Sequence, residues 1–291
     1  MRTLVHLSDL HFGRIDETLI TPLLERIAAI APDLVVVSGD LTQRARSAQF
    51  KAARAFLDAL PAPQIVVPGN HDIPLHNVFN RFVRPLEKYR RYIANDLEPA
   101  YIDAEIAVLG VNTARSATFK GGRINSTQMV RLQERLQTLD AHAIKIVVTH
   151  HPFDLPAHFD PADLVGRAPL AMRIFADCGV DLLLAGHLHA SHAGDTALRY
   201  RFGDYAALAV QAGTATSTRG RGEANSFNVI RVVAPCISLP GISPPRSSPP
   251  RITVERYSWI AERSTFACAS SQVFERAARG WTTAMAGSES G

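Results

Sequence analysis

The sequence has few cysteines, no long apolar run and no strong excess of charge of one sign. Its three cysteines, Cys178, Cys236 and Cys268, lie far apart and form no Cys-x-x-Cys pair, so neither a disulfide framework nor a zinc–thiolate site is indicated. No segment approaches about 18 uninterrupted apolar residues, and the N-terminus lacks the apolar stretch of a signal peptide. We therefore expect no membrane span and a reducing, cytoplasmic location.

The composition is typical of a globular protein. Of the 291 residues, 46% are hydrophobic and 20% are charged, and a chain of this length can build a single core. The net charge is +4. This weak, dispersed positive charge is compatible with an anionic substrate but does not require nucleic acid. A general basic bias of the source's proteins would explain it equally well.

Short apolar runs alternate with amphipathic stretches along the first two thirds of the chain. The pattern predicts strands at 3–7, 34–37, 64–67, 106–111, 144–149 and 182–185, and helices at 18–30, 47–60, 77–93, 127–138 and 169–178. Strands that alternate with helices predict an α/β fold built from layers.

After His189 the pattern changes to strands without helices between them. Residues 198–217, 225–233 and 251–260 are predicted strands, which we expect to be antiparallel. Residues 235–250 are rich in Pro and Ser, which predicts a surface loop. Residues 251–291 are expected to form a strand hairpin and a tail with a short helix, and we expect 1–291 to form one domain.

Polar residues that can bind metal or move protons follow five of the predicted strands. They are Asp9 and His11 in SDLHFG, Asp40 in SGDLT, Asn70, His71 and Asp72 in PGNHD, His150 and His151 in THHP, and His187 and His189 in AGHLH. In an open α/β sheet, ligands bind beyond the carboxyl ends of the strands. We therefore expect these side chains to converge at one edge of the fold.

The residue types indicate which ion would bind there. Carboxylate, amide and imidazole groups without thiolates suit divalent Mn, Fe, Zn or Co. Alternate residues of an extended chain point to one side, so Asp9 and His11 can bind one metal ion or be divided between two. Alone, each short motif would more commonly be a turn or a solvated strand edge. Their ordered combination favours two divalent ions that share one carboxylate.

The ordered motifs Asp-x-His, Gly-Asp, Gly-Asn-His-Asp, His and Gly-His-x-His resemble those of the calcineurin-like metallophosphoesterase superfamily, over roughly residues 1–215. The resemblance implies a four-layer αββα sandwich, with two mixed β-sheets flanked by helices. It also implies a ligand set. Asp9, His11 and His189 would bind the first metal, Asn70, His150 and His187 the second, and Asp40 would bridge both. His151 would lie behind the ligands or face the substrate.

The resemblance also implies the chemistry. A hydroxide that bridges the two metals would attack phosphorus in line, and His71 would act as general acid or charge stabiliser at the leaving oxygen. Asp72 would orient His71 and raise its pKa. Asn112 is a candidate for contact with phosphate or with a ligand. Arg115, followed by Lys120 and Arg123, is a candidate phosphate contact, with a solvated basic loop as the alternative.

Within the superfamily, segments such as HLSDLHFG, VPGNHDIP and GGRINSTQ are most similar to those of bacterial class III cyclic-nucleotide phosphodiesterases. The expected substrate is therefore a small phosphodiester or nucleotide such as cyclic AMP. The alternatives are a phospholipid-type diester, a nucleotide pyrophosphate or nucleic acid, and a non-catalytic scaffold. Residues 76–95 are a candidate helical cap over the site. Nucleic acid is not the expected partner, because the chain has little room for an appended domain. The sequence leaves open whether the chain forms a homodimer.

Overall fold

Two β-sheets lie face to face in the computed structural model of the chain, which describes residues 1–75, 78–118, 120–219, 222–234, 249–278 and 280–284. The strands of the described part are β1 (Arg2–Leu7), β2 (Leu34–Ser38), β3 (Gln64–Val67), β4 (Ala100–Ile102), β5 (Ile106–Gly110), β6 (Ile144–Val148), β7 (Leu182–Ala185), β8 (His192–Asp195), β9 (Leu208–Gln211), β10 (Ser226–Val233), β11 (Arg251–Ile260), β12 (Thr265–Ala277) and β13 (Gly280–Thr283). One sheet has the order β13-β12-β11-β10-β1-β2-β3, and the other β4-β5-β6-β7-β9-β8.

The helices cover the outer faces of the two sheets. They are α1 (Ile20–Ile30), α2 (Ser47–Ala59), α3 (Val78–Val83), α4 (Glu87–Tyr92), α5 (Ser126–Gln137) and α6 (Ala168–Cys178). Leu23 of α1 and Phe50 of α2 pack on the first sheet, whereas Leu132 of α5 and Phe175 of α6 pack on the second. No helix in the described part of the chain has the length and apolar composition to cross a membrane.

The central core lies between the sheets. Along β1, Leu4 faces the second sheet and Val5 faces the helices, because successive side chains of a strand point to opposite sides. Val36 of β2 and Ile146 of β6 belong to the same buried layer between the sheets. The expected four-layer αββα sandwich is therefore confirmed.

Parallel pairing brings the candidate residues to one edge of both sheets. Strands β1, β2 and β3 run parallel to one another, as do β5, β6, β7 and β9. The carboxyl ends of β1, β2, β3, β6 and β7 immediately precede the motifs that contain Asp and His. The strand order thus assembles the site that the sequence predicts at the strand ends.

Two secondary-structure predictions for the part of the chain before β10 were wrong. The helix expected at 77–93 is interrupted between α3 and α4, where Pro85 cannot donate a backbone hydrogen bond and disfavours helical geometry at the residue before it. Strand β9 pairs parallel with β7 and antiparallel only with β8. The cap at 76–95 stays a prediction, and residues 76 and 77 lie outside the described part.

The described part of the C-terminal segment, 251–278 and 280–284, consists mainly of strands, where the sequence predicted a short helix after the hairpin. Strands β11 and β12 form a long antiparallel hairpin, and β13 adds the edge strand. Indole Nε1 of Trp281 donates a hydrogen bond of 3.0 Å to Oδ1 of Asp181, which precedes β7 in the other sheet. This contact joins the two sheets near the last of the described residues. Of the predicted loop at 235–250, residues 235–248 lie outside the described part.

Candidate metal centre

The backbone at the strand ends adopts a conformation that is uncommon for residues other than glycine. Five of the seven candidate ligands have positive φ angles: Asp9 (52°), His11 (53°), Asp40 (51°), His187 (73°) and His189 (56°). Residues in this region cost free energy and persist where the surrounding structure enforces them, which is typical of functional sites. Here backbone hydrogen bonds enforce it, because the N–H of His11 donates to the carbonyl of Asp40 at 2.9 Å.

A first group of candidate ligands comes from β1 and from the loop after β7. Oδ1 of Asp9 lies 3.1 Å from Nε2 of His189 and 3.5 Å from Nε2 of His11. The two Nε2 atoms are 3.2 Å apart. All three side chains are buried, so three possible donor atoms surround one small, buried space.

A second group lies across Asp40. Nε2 of His150 is 3.0 Å from Oδ1 of Asn70 and 3.4 Å from Oδ2 of Asp40. The ring of His187 lies 5.1 Å from that of His150, measured between centroids. Oδ2 of Asp40 is also 3.9 Å from Nε2 of His11 in the first group. The Asp40 carboxylate is therefore placed between the two groups.

The tautomers of two histidines show that these groups fit cations. Nδ1 of His150 donates to the carbonyl of Ser38 at 2.8 Å, and Nδ1 of His189 donates to the carbonyl of Arg219 at 3.1 Å. In the neutral ring the other nitrogen, Nε2, then carries a lone pair directed at the carboxylates. Metal-bound histidines are held in this way by a second hydrogen bond. Lone pairs this close repel one another unless a cation lies between them, so the residues fit divalent metal ions.

The electrostatics also indicate a place for positive charge. Burial alone would lower the pKa of His150, but Asp40 and the carbonyl of Ser38 raise it to about 9 when no metal ion is bound, so that a proton then takes the place of the cation at Nε2. Burial opposes ionisation of Asp9, yet contacts with His11 and His189 hold its pKa well below the usual range. Burial and the charge of His150 lower the pKa of His187 to about 3. The carboxylates are thus anionic and attract a cation to the cluster.

The two adjacent histidines of THHP have different environments. His150, His151 and His187 each have a ring nitrogen within 4.8 Å of the other two. However, both ring nitrogens of His151 have protein partners, since Nε2 donates to the carbonyl of Lys120 and Nδ1 accepts from the hydroxyl of Thr113, each at 2.9 Å. His151 is also completely buried. Of its two expected positions, behind the ligands or facing the substrate, these contacts favour the first, and its role stays a prediction.

His71 faces the site from one side of Asp40. Its Nδ1 donates to the carbonyl of Gln43 at 3.0 Å, and its Nε2 lies 4.0 Å from Oδ2 of Asp40. Burial lowers the pKa of His71, and Asp40 partly opposes this effect. The backbone N–H of His71 donates to Oδ1 of Asp40 at 2.8 Å. The ring is therefore held in one orientation by groups other than Asp72.

Asp72 does not orient His71, contrary to the sequence-based expectation. Its carboxylate is buried and accepts hydrogen bonds from the backbone N–H groups of Leu41, Thr42 and Gly69, at 3.2, 2.9 and 2.9 Å. Burial, followed by the charge of Asp40, raises the pKa of Asp72 to about 6. Asp72 joins the loop after β2 to the turn after β3, and so fixes Asp40 relative to Asn70.

Arg219 is the site residue that the sequence analysis missed. Nη1 of Arg219 donates to Nε2 of His71 at 3.0 Å, and its carbonyl holds His189. The arginine lies in the loop after β9 and belongs to no recognisable short motif. The alternation of Arg and Gly at 219–222 was the one available signal, and it does not distinguish a site from a solvated loop.

Asn112 and Arg115 contact neighbouring protein groups. Oδ1 of Asn112 accepts from the backbone of Ala114 at 3.0 Å, and the guanidinium of Arg115 contacts the carbonyl of Ala114 and the side chain of Gln128. Both line a cavity of about 570 Å³ next to α4. A second cavity lies beside His71, and neither residue lines it. Among the described residues, only Ile73 lines both cavities. Their role as substrate contacts stays a prediction.

Family comparison agrees with this site. The model of the calcineurin-like phosphoesterase family matches residues 2–191. This is well over half of the chain, and the chain therefore belongs to the calcineurin-like phosphoesterase family. The expected superfamily is confirmed, and the family is metal-dependent and typically binuclear.

Curated relatives are similar at low identity. A probable glycerophosphodiester phosphodiesterase of Arcobacter nitrofigilis is 27% identical over 161 residues, which cover 54% of this chain and 57% of the relative. A cAMP/cGMP dual specificity phosphodiesterase of Mycobacterium tuberculosis is 28% identical over 210 residues, which cover 65% of this chain and 62% of the relative. The chain spans little more than half the length of the first of these relatives.

Solved structures share the fold at still lower identity. A purple acid phosphatase of yellow lupin superposes with a TM-score of 0.67 at 10% identity, covering 94% of this chain and 53% of the phosphatase. A dimetal phosphatase of Danio rerio superposes with a TM-score of 0.61 at 13% identity, covering 88% of this chain and 95% of the phosphatase. At these identities the likeness supports the fold alone.

Proposed function

We propose that the chain is a metal-dependent phosphodiesterase that hydrolyses a small phosphodiester, with a 3′,5′-cyclic nucleotide such as cyclic AMP as the leading substrate. The position of Asp40 supports this most directly, because one carboxylate oxygen lies within 3.4 Å of His150 and 3.9 Å of His11. Two metal ions that share a carboxylate are suited to in-line displacement at phosphorus.

The proposed ligand sets follow the two groups of side chains. Asp9, His11 and His189 would bind one divalent ion, and Asn70, His150 and His187 the other, with Asp40 shared between them. Mn, Fe, Zn and Co all suit this donor set. When bound, the ions polarise the phosphoryl oxygens and lower the pKa of coordinated water.

The remaining residues hold site groups in position or move protons. His71 would stabilise the leaving oxygen or give it a proton. This role is supported by the contact that fixes Nδ1 at Gln43 and by the position of Nε2 on the Asp40 side of the site. Asp72 acts on the reaction through position, because it holds the loop of Asp40 against the turn of Asn70. The strained turns keep the ligand side chains in place before substrate binds.

A glycerophosphodiester is the second candidate substrate. The observation that favours it is the similarity to the probable glycerophosphodiester phosphodiesterase from Arcobacter nitrofigilis. The same site could cleave either diester, because the chemistry resides in the phosphoryl group. A non-catalytic scaffold is disfavoured, since all seven candidate ligands and His71 are present.

A substrate panel tests the proposal. The metal-loaded protein would be assayed with cyclic AMP, cyclic GMP, glycerophosphoethanolamine, bis-p-nitrophenyl phosphate and p-nitrophenyl phosphate, and metal content would be measured on the same sample. We expect about two metal ions per chain, hydrolysis of the diesters and greatest efficiency on a cyclic nucleotide. Greatest efficiency on the glycerophosphodiester would support the second candidate. A metal-loaded protein without any hydrolysis would contradict both.

His71→Ala, assayed on the same panel, tests the proposed role of His71. The substitution removes the proposed group at the leaving oxygen and leaves all seven ligands in place, so we expect full metal content and a loss of turnover of about 100-fold or more. A variant that arrives without metal would show that His71 has a structural role.

A further inference from the structure

We propose that Arg219 binds the phosphoryl group of the substrate, and that in the substrate-free site its guanidinium occupies the place of that group beside His71. This inference rests on the proposed phosphodiesterase function. It assigns a substrate-binding role to a side chain that lies outside the candidate ligands and outside the motifs that define them.

The contact between Arg219 and His71 has a defined direction. A guanidinium can only donate hydrogen bonds, and Nδ1 of His71 already donates to the carbonyl of Gln43. Nε2 of His71 is therefore the acceptor of the 3.0 Å bond from Nη1 of Arg219. While this bond exists, Nε2 is not available to a leaving oxygen.

A bound phosphodiester would compete for the same guanidinium. Its phosphoryl oxygens are anionic, and charge-assisted hydrogen bonds from arginine to phosphate are stronger than bonds between neutral partners. Transfer of the Arg219 donors from His71 to the phosphoryl oxygens would release Nε2 of His71. Nε2 of His71 would then be free of the guanidinium, and it would take up a proton from solvent before it could donate one to a leaving oxygen.

The backbone of Arg219 fixes the origin of its side chain. The carbonyl of Arg219 accepts from Nδ1 of His189 at 3.1 Å, and its N–H donates to Oγ of Ser217 at 3.1 Å. One residue thus touches a candidate metal ligand through its main chain and His71 through its side chain. Substitution of the side chain preserves the contact to His189, which makes the two roles separable.

The cavity at this position is suited to an anion. It has a volume of about 280 Å³, close to the lower end of small-ligand sites. Its lining includes the cationic side chains of Arg44, Arg81, Lys120 and Arg219, and no carboxylate is among its described lining residues. Arg81 donates to the carbonyls of Pro74, Ser116 and Thr118 and is therefore structural. Arg219 is the cation that also contacts His71.

Phosphate binding provides a direct test that does not require turnover. Inorganic phosphate would be titrated calorimetrically into the Mn-loaded full chain and its Arg219→Ala, Arg219→Lys and Arg14→Ala variants. Removal of a charged hydrogen bond to phosphate is expected to weaken binding about 10- to 100-fold in Arg219→Ala, and less in Arg219→Lys. Arg14 is exposed, and its variant removes the same charge nearby, so we expect a change below about threefold.

Chemical rescue with bis-p-nitrophenyl phosphate gives a second readout. We expect Arg219→Ala to keep its metal ions, to lose about 10- to 100-fold in kcat/KM and to regain part of this with added guanidinium ion, which Arg14→Ala would not show. Unchanged phosphate affinity in Arg219→Ala, or loss of its metal ions, would overturn the inference. A wild-type chain without diesterase activity, whose phosphate affinity still falls in Arg219→Ala, would refute the function alone and leave the anion site standing.

Discussion

Gly39 lies directly against the imidazole ring of His150. A β-carbon at Gly39 would come within 2.7 Å of Nδ1 and 2.8 Å of Cγ of that ring, and Gly39 has a φ angle of +91°. The turn after β2 therefore needs glycine for two reasons, the left-handed backbone and the close approach of a candidate ligand. The Gly-Asp pair acts as one unit, in which Gly39 makes room for His150 and Asp40 carries the carboxylate between the two groups of candidate ligands.

Gly39→Ala is expected to displace His150 and weaken metal binding. Outer groups that orient a ligand typically contribute about 10- to 100-fold to metal affinity, and we expect a loss of at least this size, measured by competition with a chelator. Gly203→Ala is the control, since Gly203 also has a positive φ (+61°) but an added β-carbon would meet no atom within 4 Å. It should cost about 1 kcal/mol of stability without altering metal affinity. Equal metal affinity in both variants would refute the packing argument.

His150→Ala and His151→Ala are expected to distinguish a candidate metal ligand from a residue that supports the site. His150→Ala removes a lone pair directed at Asp40 and Asn70, so it should lose about one metal ion per chain. His151→Ala removes the buried ring between Thr113 and Lys120 and should keep both ions but lower the free energy of unfolding by about 2–4 kcal/mol. Metal analysis and urea unfolding distinguish them. If His151→Ala loses the ion and His150→Ala keeps it, the assignment is reversed.

The fold and the positions of the candidate ligands could largely be predicted from the sequence. Asp9, Asp40 and Asn70 each follow a run of apolar residues, and parallel strands bring such positions to one edge. The periodicity of apolar residues therefore predicts the strands, and the order of the motifs predicts the site. The break at Pro85 also had a sequence signal, because proline interrupts a helix.

The remaining site contacts depend on tertiary structure. The approach of Arg219 to His71 joins residues that are 148 positions apart, and no local pattern encodes it. The same holds for Asp72, whose proximity in sequence to His71 suggested a contact that its three backbone partners replace. Left-handed φ angles at Asp9 and Asp40 also have no composition signal, since aspartate commonly adopts other conformations.

Asp72→Asn is expected to destabilise the protein through the backbone. An amide nitrogen cannot accept the bonds from Leu41, Thr42 or Gly69, so at least one buried donor loses its partner. We expect a loss of about 2–4 kcal/mol in urea unfolding, together with weaker metal binding as Asp40 moves. Asp160→Asn is the control, because this exposed residue caps Ala162 with an oxygen that asparagine retains. Its stability should change by less than about 0.5 kcal/mol, and a similarly small effect at Asp72 would show that its hydrogen bonds are dispensable.

His6 is expected to make the fold sensitive to acid. It is completely buried on β1, where Nε2 lies 2.9 Å from Oγ of Ser38. Burial lowers its pKa to about 3, with partial opposition from Asp9. The unfolded chain binds a proton at His6 below about pH 6.5, whereas the folded chain does not until about pH 3. Stability from the neutral ring is therefore complete above about pH 6.5 and is lost progressively as the pH falls towards 3.

His6→Leu tests this contribution. Between about pH 7 and pH 5, His6 should account for a loss of about 2 kcal/mol in the wild type, because about 1.5 pH units lie below the unfolded pKa. The leucine variant has no proton to bind there, so its free energy of unfolding should fall by about 2 kcal/mol less over the same interval in urea titrations. Metal release on acidification affects both proteins, and the difference between them isolates His6. Equal pH dependence in the two proteins would show that the ring of His6 is protonated in the folded state.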